Sequence, residues 1–431
     1  MVRFYTAISV SLLLLAGIGQ QADANDIWSG GSPYAHFGLG LPHDFNATYA
    51  DGMGLSGVAM HDNRIPSVAN PAAWSRAYFS NISGAFEINS YDARFGEGQN
   101  STTRFQTGPF QMVLPVSRER IGVSLSFTPL TSSRYATNNE YVLSESQNNT
   151  GEEMRYGLEN RGDGGINRIE LGVGIRLTNA LSVGYAPSLL LGSVNRNQNV
   201  FFDDLDYRPV YLTETTHHYG FGNRFGLYYS SQGLFRSRDR ATFGATVSLP
   251  VNLTSERSLE SRINSRDVTI RPTSYYGDGQ ATFPLEAGAG FSYNFNPYLL
   301  VGADVLFQNW SEYTNFEGHS EVFLKDRMKV GLGTQYLAAR RGGATIFSRF
   351  IYRMGVSYDT GSLQLDGNDI ETLTLHAGFG IPSSGTNSSI DINAEYGFRG
   401  TEASGLISER IFAVTVSFNL SEIMFFQRRL Q

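Results

Sequence analysis

The chain has 431 residues, 47 of them glycine, with 33 Lys+Arg against 40 Asp+Glu and a net charge of −7. It contains no cysteine, which excludes a disulfide scaffold, a thiolate metal site and a cysteine nucleophile together. Aromatics reach 13 %, charged residues only 17 % and mean hydropathy is −0.22, which excludes a multi-helix membrane protein and a disordered chain and suits a large β-structure whose side chains face grease and water in turn.

Residues 1–24 read as a secretory signal peptide. Arg3 supplies the positive start, Phe4 to Ile18 is nearly all apolar, and Ala22-Asp23-Ala24 has the small-x-small form of a cleavage site. The apolar run is too short to span a bilayer, and no later segment reaches the ~20 apolar residues a spanning helix needs.

Residues 25–78 are Gly-rich and poorly alternating, with a short helical candidate near Ala69 to Ala77. Ile65, Val68, Trp74 and Tyr78 call for burial, which favours a plug over a free periplasmic tail. Gly52-Met-Gly54-Leu-Ser-Gly57 matches G-x-G-x-x-G. The dinucleotide reading needs a buried strand before it and a helix after it, whereas Asn63, Pro66 and Asn70-Pro71 follow. Glycines that let a plug turn tightly against a wall are the better account.

From Phe79 to Leu420 the period is two. Phe412, Val414, Val416, Phe418 and Leu420 share one face, and Ala413, Thr415, Ser417 and Asn419 the other. Ile169, Leu171, Val173 and Ile175 alternate in the same way with Glu170, Gly172, Gly174 and Arg176. The pattern predicts fourteen strands at 79–93, 104–117, 120–132, 166–178, 181–196, 216–230, 241–254, 281–294, 298–310, 321–337, 345–359, 370–382, 388–400 and 409–420, followed by a tail, 421–431. Odd connections are mostly long and even ones mostly short, the parity of an outer-membrane barrel with both ends in the periplasm. The expected fold is therefore all-β: a fourteen-stranded antiparallel transmembrane barrel with an N-terminal hatch in its lumen.

The face opposite the apolar stripe carries Glu87, Glu170, Arg176, Arg224, Glu286, Asp304, Arg327, Lys329, Arg349, Arg353, His376, Asp391, Glu395 and Arg399. Mixed signs of this kind make a salt-bridge network. The functional alternative is that Arg327, Lys329, Arg349 and Arg353 hold an anionic head group, since guanidinium grips carboxylate bidentately. His217 and His218 are strand neighbours and point to opposite faces, and His36, His43 and His61 lack zinc-site spacing, so no metal and no cofactor is expected. Neither a G-x-S-x-G elbow nor a nucleophile with its base is recognisable, so no enzyme is expected. The segment Asn199 to Leu212 carries Phe201, Phe202, Leu205, Tyr207, Tyr211 and Leu212 in an outer loop, and exposed apolar clusters usually bind something.

The stretch from Gly52 to Trp74, GMGLSGVAMHDNRIPSVANPAAW, resembles the hatch of the FadL/TodX family of outer-membrane hydrophobic-compound transporters, with Gly52, Gly54, Gly57, Asn70 and Pro71 as its matching residues. Phe283 to Tyr313 resembles that family's Trp-Ser strand pair through Pro284, Trp310 and Ser311, and Asp326 to Tyr336 with Tyr352 to Ser362 its following hairpin. The resemblance implies a bacterial outer-membrane channel for passive uptake of long-chain fatty acids or other hydrophobic molecules. In such a channel a ligand passes from an outer groove to a lumenal site and leaves through a gap at an inward kink of the third strand. Pro129 and Thr131 are where that kink is expected, although Pro129 could equally end the strand at its rim. Membrane lipid, lipopolysaccharide and a hydrophobic ligand are the implied partners of a monomer, with no nucleic acid. Two departures, the SEIMFFQRRLQ ending and the altered loop DTGSLQLDGND, leave open a non-transporting barrel of a secretion or surface-attachment system, like the type IX component PorV.

Overall fold

The computed structural model describes residues 30–43, 49–60, 67–143, 154–203, 208–234, 236, 239–264, 269–270, 275–338, 346–383 and 387–422. Fourteen antiparallel strands close into one barrel. They are β1 (Ser80–Phe95), β2 (Gly98–Ser117), β3 (Ile121–Pro129, resuming at Tyr135–Leu143), β4 (Met154–Arg176), β5 (Leu181–Phe202) and β6 (Val210–Gln232). Next come β7 (Arg240–Ser248 and Val251–Asn264), β8 (Tyr275–Phe283 and Glu286–Asn294), β9 (Leu299–Gln308) and β10 (Arg327–Leu337). The last four are β11 (Ile351–Asp359), β12 (Thr372–Pro382), β13 (Ser389–Gly400) and β14 (Ser408–Glu422). The ring closes where β1 pairs with β14, from Ser80↔Glu422 to Arg94↔Ser408.

Burial is inverted relative to a soluble protein. On β14, Thr415, Ser417 and Asn419 are fully buried, while Phe412, Val416 and Leu420 are exposed. On β4, Glu170 is buried and Leu171 is 60 % exposed. An apolar outer face this continuous is stable only against hydrocarbon.

Several strands run longer than the alternation predicts. β2 starts at Gly98, so β1 and β2 join through a two-residue turn at Gly96, whose φ is +55°. Residues Gly98–Thr103 are polar on both faces, because a strand projecting beyond the membrane meets water on each side. β4 begins at Met154 rather than near 166 for the same reason. In the other direction β11 starts at Ile351, not 345: Ile346–Arg349 form a 3₁₀ turn at the inner end, and Arg349 is exposed there rather than facing the lumen. Period-2 reading cannot see where a strand gives way to a short turn.

The segment before β1 runs through the barrel. Tyr34 caps the outer end, its hydroxyl donating to the carbonyl of Ile407. Leu41–Pro42 pairs with Thr131–Ser132, and Pro71–Arg76 forms a 3₁₀ helix near the inner mouth. Asn70 caps that helix, accepting from Ala72 N and donating to the carbonyls of Val58 and Leu227. Gly54 (φ +68°) and Gly57 (φ +81°) make the turns above it. The wall is built to receive this backbone: a Cβ at Gly122, Gly174, Gly184, Gly244, Gly333 or Gly355 would overlap hatch main chain. A second filling is apolar. Leu39, Leu130, Ile166, Leu190, Leu253, Phe283, Trp310 and Tyr313 pack as one buried cluster on the β4–β9 side.

Candidate functional site

The seam between β2 and β3 is where the wall departs from a regular barrel. β3 pairs with β2 only from Phe110↔Phe127 to Ser117↔Ile121. Beyond that, Gly98–Thr107 of β2 bond to β1 alone, and Tyr135–Leu143 bond to β4 alone. Proline explains the stop on both sides. Pro129 ends the first half of β3, and Gly108-Pro109 form a bulge of β2 opposite Ala85. Each proline removes a ladder donor, and a bulge turns the strand.

Between its halves β3 leaves the wall. The His43 amide donates to Leu130 O, the Ile166 amide donates to Thr131 Oγ1, and Thr131–Ser132 take the two-residue strand of the hatch as a partner. So Pro129 and Thr131 lie in an inward bend. The hatch also enters the seam: Gly30 packs on Thr102 and Thr103 so tightly that a Cβ would collide with both, and Gly31 packs likewise on Arg134.

Behind the seam lies a lumenal cavity of about 160 Å³, reached by Leu41, Tyr91, Arg104, Gln106, Ser132 and Arg134 on one side and by Asp51, Lys329, His376 and Glu395 on the other. Most ions in and around the lumen are already paired. Arg327 forks onto both Asp359 oxygens at 3.0 Å and donates to Gln308 at 2.8 Å. Arg353 spans Asp391 and Gln335. Arg224 bridges Glu170 and the hatch carbonyls of Val68 and Ala69. Of the four predicted head-group cations, Arg327 and Arg353 are thus buried structural pairs, Lys329 faces the cavity, and Arg349 is elsewhere. His376 stands 2.8 Å from Ser357 Oγ and 3.3 Å from Glu395, against the hatch at Gly54. Asp51, half-buried beside Glu395, has its carboxyl pushed well above the usual range by desolvation first and then by that second carboxyl.

The outer aromatic group is only partly in view. Leu205 and Tyr207 fall outside the described residues. Phe201 (39 % exposed) meets Tyr211 edge-on at 5.9 Å, and Phe202 lies against Tyr156, which stacks on Tyr141 at 5.2 Å. These rings belong to the projecting ends of β3–β6, not to a long loop. The structure thus places Pro129 and Thr131 in the bend beside the cavity, which Ser132 lines, but leaves Phe201, Phe202 and Tyr211 on the rim. Sequence reasoning missed Pro109, Arg104 and Arg134; the Gly108-Pro109 pair facing a second proline strand was the available signal.

A family model described as BamG matches residues 1–431. The chain belongs to the BamG family. No curated protein sequence matches it. Among solved structures it is similar to a Pseudomonas aeruginosa FadL homologue at TM-score 0.60 and 13 % identity, covering 88 % of this chain and 99 % of that one. It is similar also to the Ralstonia pickettii toluene transporter TbuX (0.55, 17 %, 87 % and 98 %) and to a CymD monoaromatic hydrocarbon channel (0.54, 17 %, 88 % and 98 %). At these identities the likeness is one of fold. This BamG-family chain shares their barrel architecture.

Proposed function

We propose that the protein is an outer-membrane channel that passes hydrophobic or amphiphilic molecules between its lumen and the membrane through the β2–β3 seam. The supporting observation is the interrupted ladder with a cavity directly behind it. Two neighbouring barrels are described as a toluene transporter and a monoaromatic hydrocarbon channel, and the exposed apolar belt suits a bilayer. Long-chain fatty acids are one candidate ligand, with the Phe201–Tyr211 rim as a landing surface and Lys329 on the inner path. In this reading 1–24 is removed on export, 25–78 is the hatch, 79–420 is the barrel, and the monomer contacts lipopolysaccharide outside. Cells lacking the protein should take up a fluorescent fatty acid or toluene more slowly than cells expressing it. Equal rates for both compounds would contradict transport.

A second reading is an interaction barrel of a secretion or surface-attachment system. The observation favouring it is the tightly seated hatch: Trp74 and Pro71–Ser75 are buried against glycines of the wall, so any passage to the periplasm requires that contact to part. Stable co-purifying proteins without uptake would favour it.

A further inference from the structure

We infer that Arg104 is an oxyanion-binding site on the lumen side of the seam, taking the carboxylate or phosphate head of an anionic amphiphile. Arg104 sits on β2 six residues beyond the last β2–β3 pair, on the far side of the Gly108-Pro109 bulge, and is 6 % exposed. Among the described residues its guanidinium meets no hydrogen-bond or ion-pair partner, and its Nε is buried and unsatisfied. That sets it apart from Arg224, Arg327 and Arg353, each held by a carboxylate.

The acids nearby are already engaged. Asp163 is paired with Arg134 at 2.5 Å. Glu87 accepts from Asn89, Gln106 and Thr415. A guanidinium that stays charged at every accessible pH cannot escape burial by losing its proton, so an unpaired one calls for an anion from outside the chain. The cavity it lines offers room for a head group but not for a long chain. Leu41, Leu363, Ile370 and Ile411 give that cavity apolar walls beside the arginine, and the part of the seam between Arg104 and the Gly108-Pro109 bulge, below the projecting end of β2, gives a tail a way into the hydrocarbon. A planar fork of donors suits a carboxylate or phosphate face-on. The head-group site therefore belongs to the seam rather than to the Arg327/Arg353 pairs.

This assignment rests on the seam reading for the tail but not on transport. The purified, delipidated full-length barrel in a neutral maltoside detergent is titrated with palmitate, dodecyl phosphate and the neutral control dodecanol. The wild type should bind one or both anions, and Arg104→Gln should weaken that binding at least tenfold while leaving dodecanol unchanged. Arg104→Lys should fall between them, because the charge persists without the fork. Palmitate alone identifies a carboxylate, and dodecyl phosphate alone a phosphate. All variants must show the heat-modifiable gel mobility of a folded barrel. Absence of anion binding by the wild type, or equal binding by Arg104→Gln, overturns the site. Anion binding at Arg104 without cellular uptake would keep the site and reject transport.

Discussion

Single residues decide how the hatch is held. Asp51 is faced by Glu395, His376 and Lys329, and its carboxyl is raised well above the ordinary value. A group whose folded pKa is raised leaves stability greatest below the unfolded value near ~3.9, and stability declines as pH climbs from there through the folded pKa. Asn is neutral throughout. Asp51→Asn should therefore unfold at a higher temperature than the wild type at pH 8 and at about the same temperature near pH 4. A lower midpoint at pH 8 would contradict this. Gly355 makes the opposite test. A Cβ there would overlap the carbonyl of Met53, so Gly355→Val should destabilise by about 1–3 kcal/mol, the usual cost of overpacking. The same change should open the hatch to added protease; unchanged cleavage would mean the hatch is held by other contacts.

At the scale of elements, the seam is a statement about hydrogen bonds and can be measured as one. In a ladder, successive amides point to alternate neighbours. Along Gly98–Thr107, amides directed at β1 should exchange slowly and those directed at the seam quickly. The corresponding stretch of β10, paired on both sides, should be slow throughout. Uniform protection along Gly98–Thr107 would mean that the wall is closed. At Pro129 the sequence showed only that the ladder must stop, because proline withdraws a donor wherever it stands, and it left a kink and a strand end equally open. Its counterpart at Pro109 was missed, although the apolar face changes parity there, from Phe105 to Phe110, Met112 and Leu114, as a bulge requires. Arg349 shows the reverse failure: alternation carried a strand through Ile346–Arg349, where the chain makes a 3₁₀ turn. The polar outer halves of β2 and β4 carried no alternation to read.

At the scale of the whole molecule, the inverted burial follows from one physical constraint, a membrane outside and water or hatch inside. Phe86, Leu171, Leu332, Met354 and Leu375 are exposed on the outer face, while Glu87, Glu170 and Asp391 are buried within. The excess glycine now has a place, since many of the lumenal glycines are the wall positions against which the hatch lies. What alternation could not supply is which lumenal cation lacks a partner, because pairing is decided by residues far apart in sequence: Arg353 with Asp391, Arg224 with Glu170. The central claim is that molecules cross at the β2–β3 seam. Because the chain has no cysteine, the pair Thr103→Cys and Ala136→Cys places the only two thiols on its opposite edges. Closing them with a bis-maleimide should abolish uptake of a fluorescent fatty acid or of toluene, whichever the unmodified barrel carries, while the same reagent on a Phe307→Cys/Met328→Cys control, exposed partners across β9 and β10, leaves uptake intact. Undiminished uptake through the sealed barrel would contradict the account.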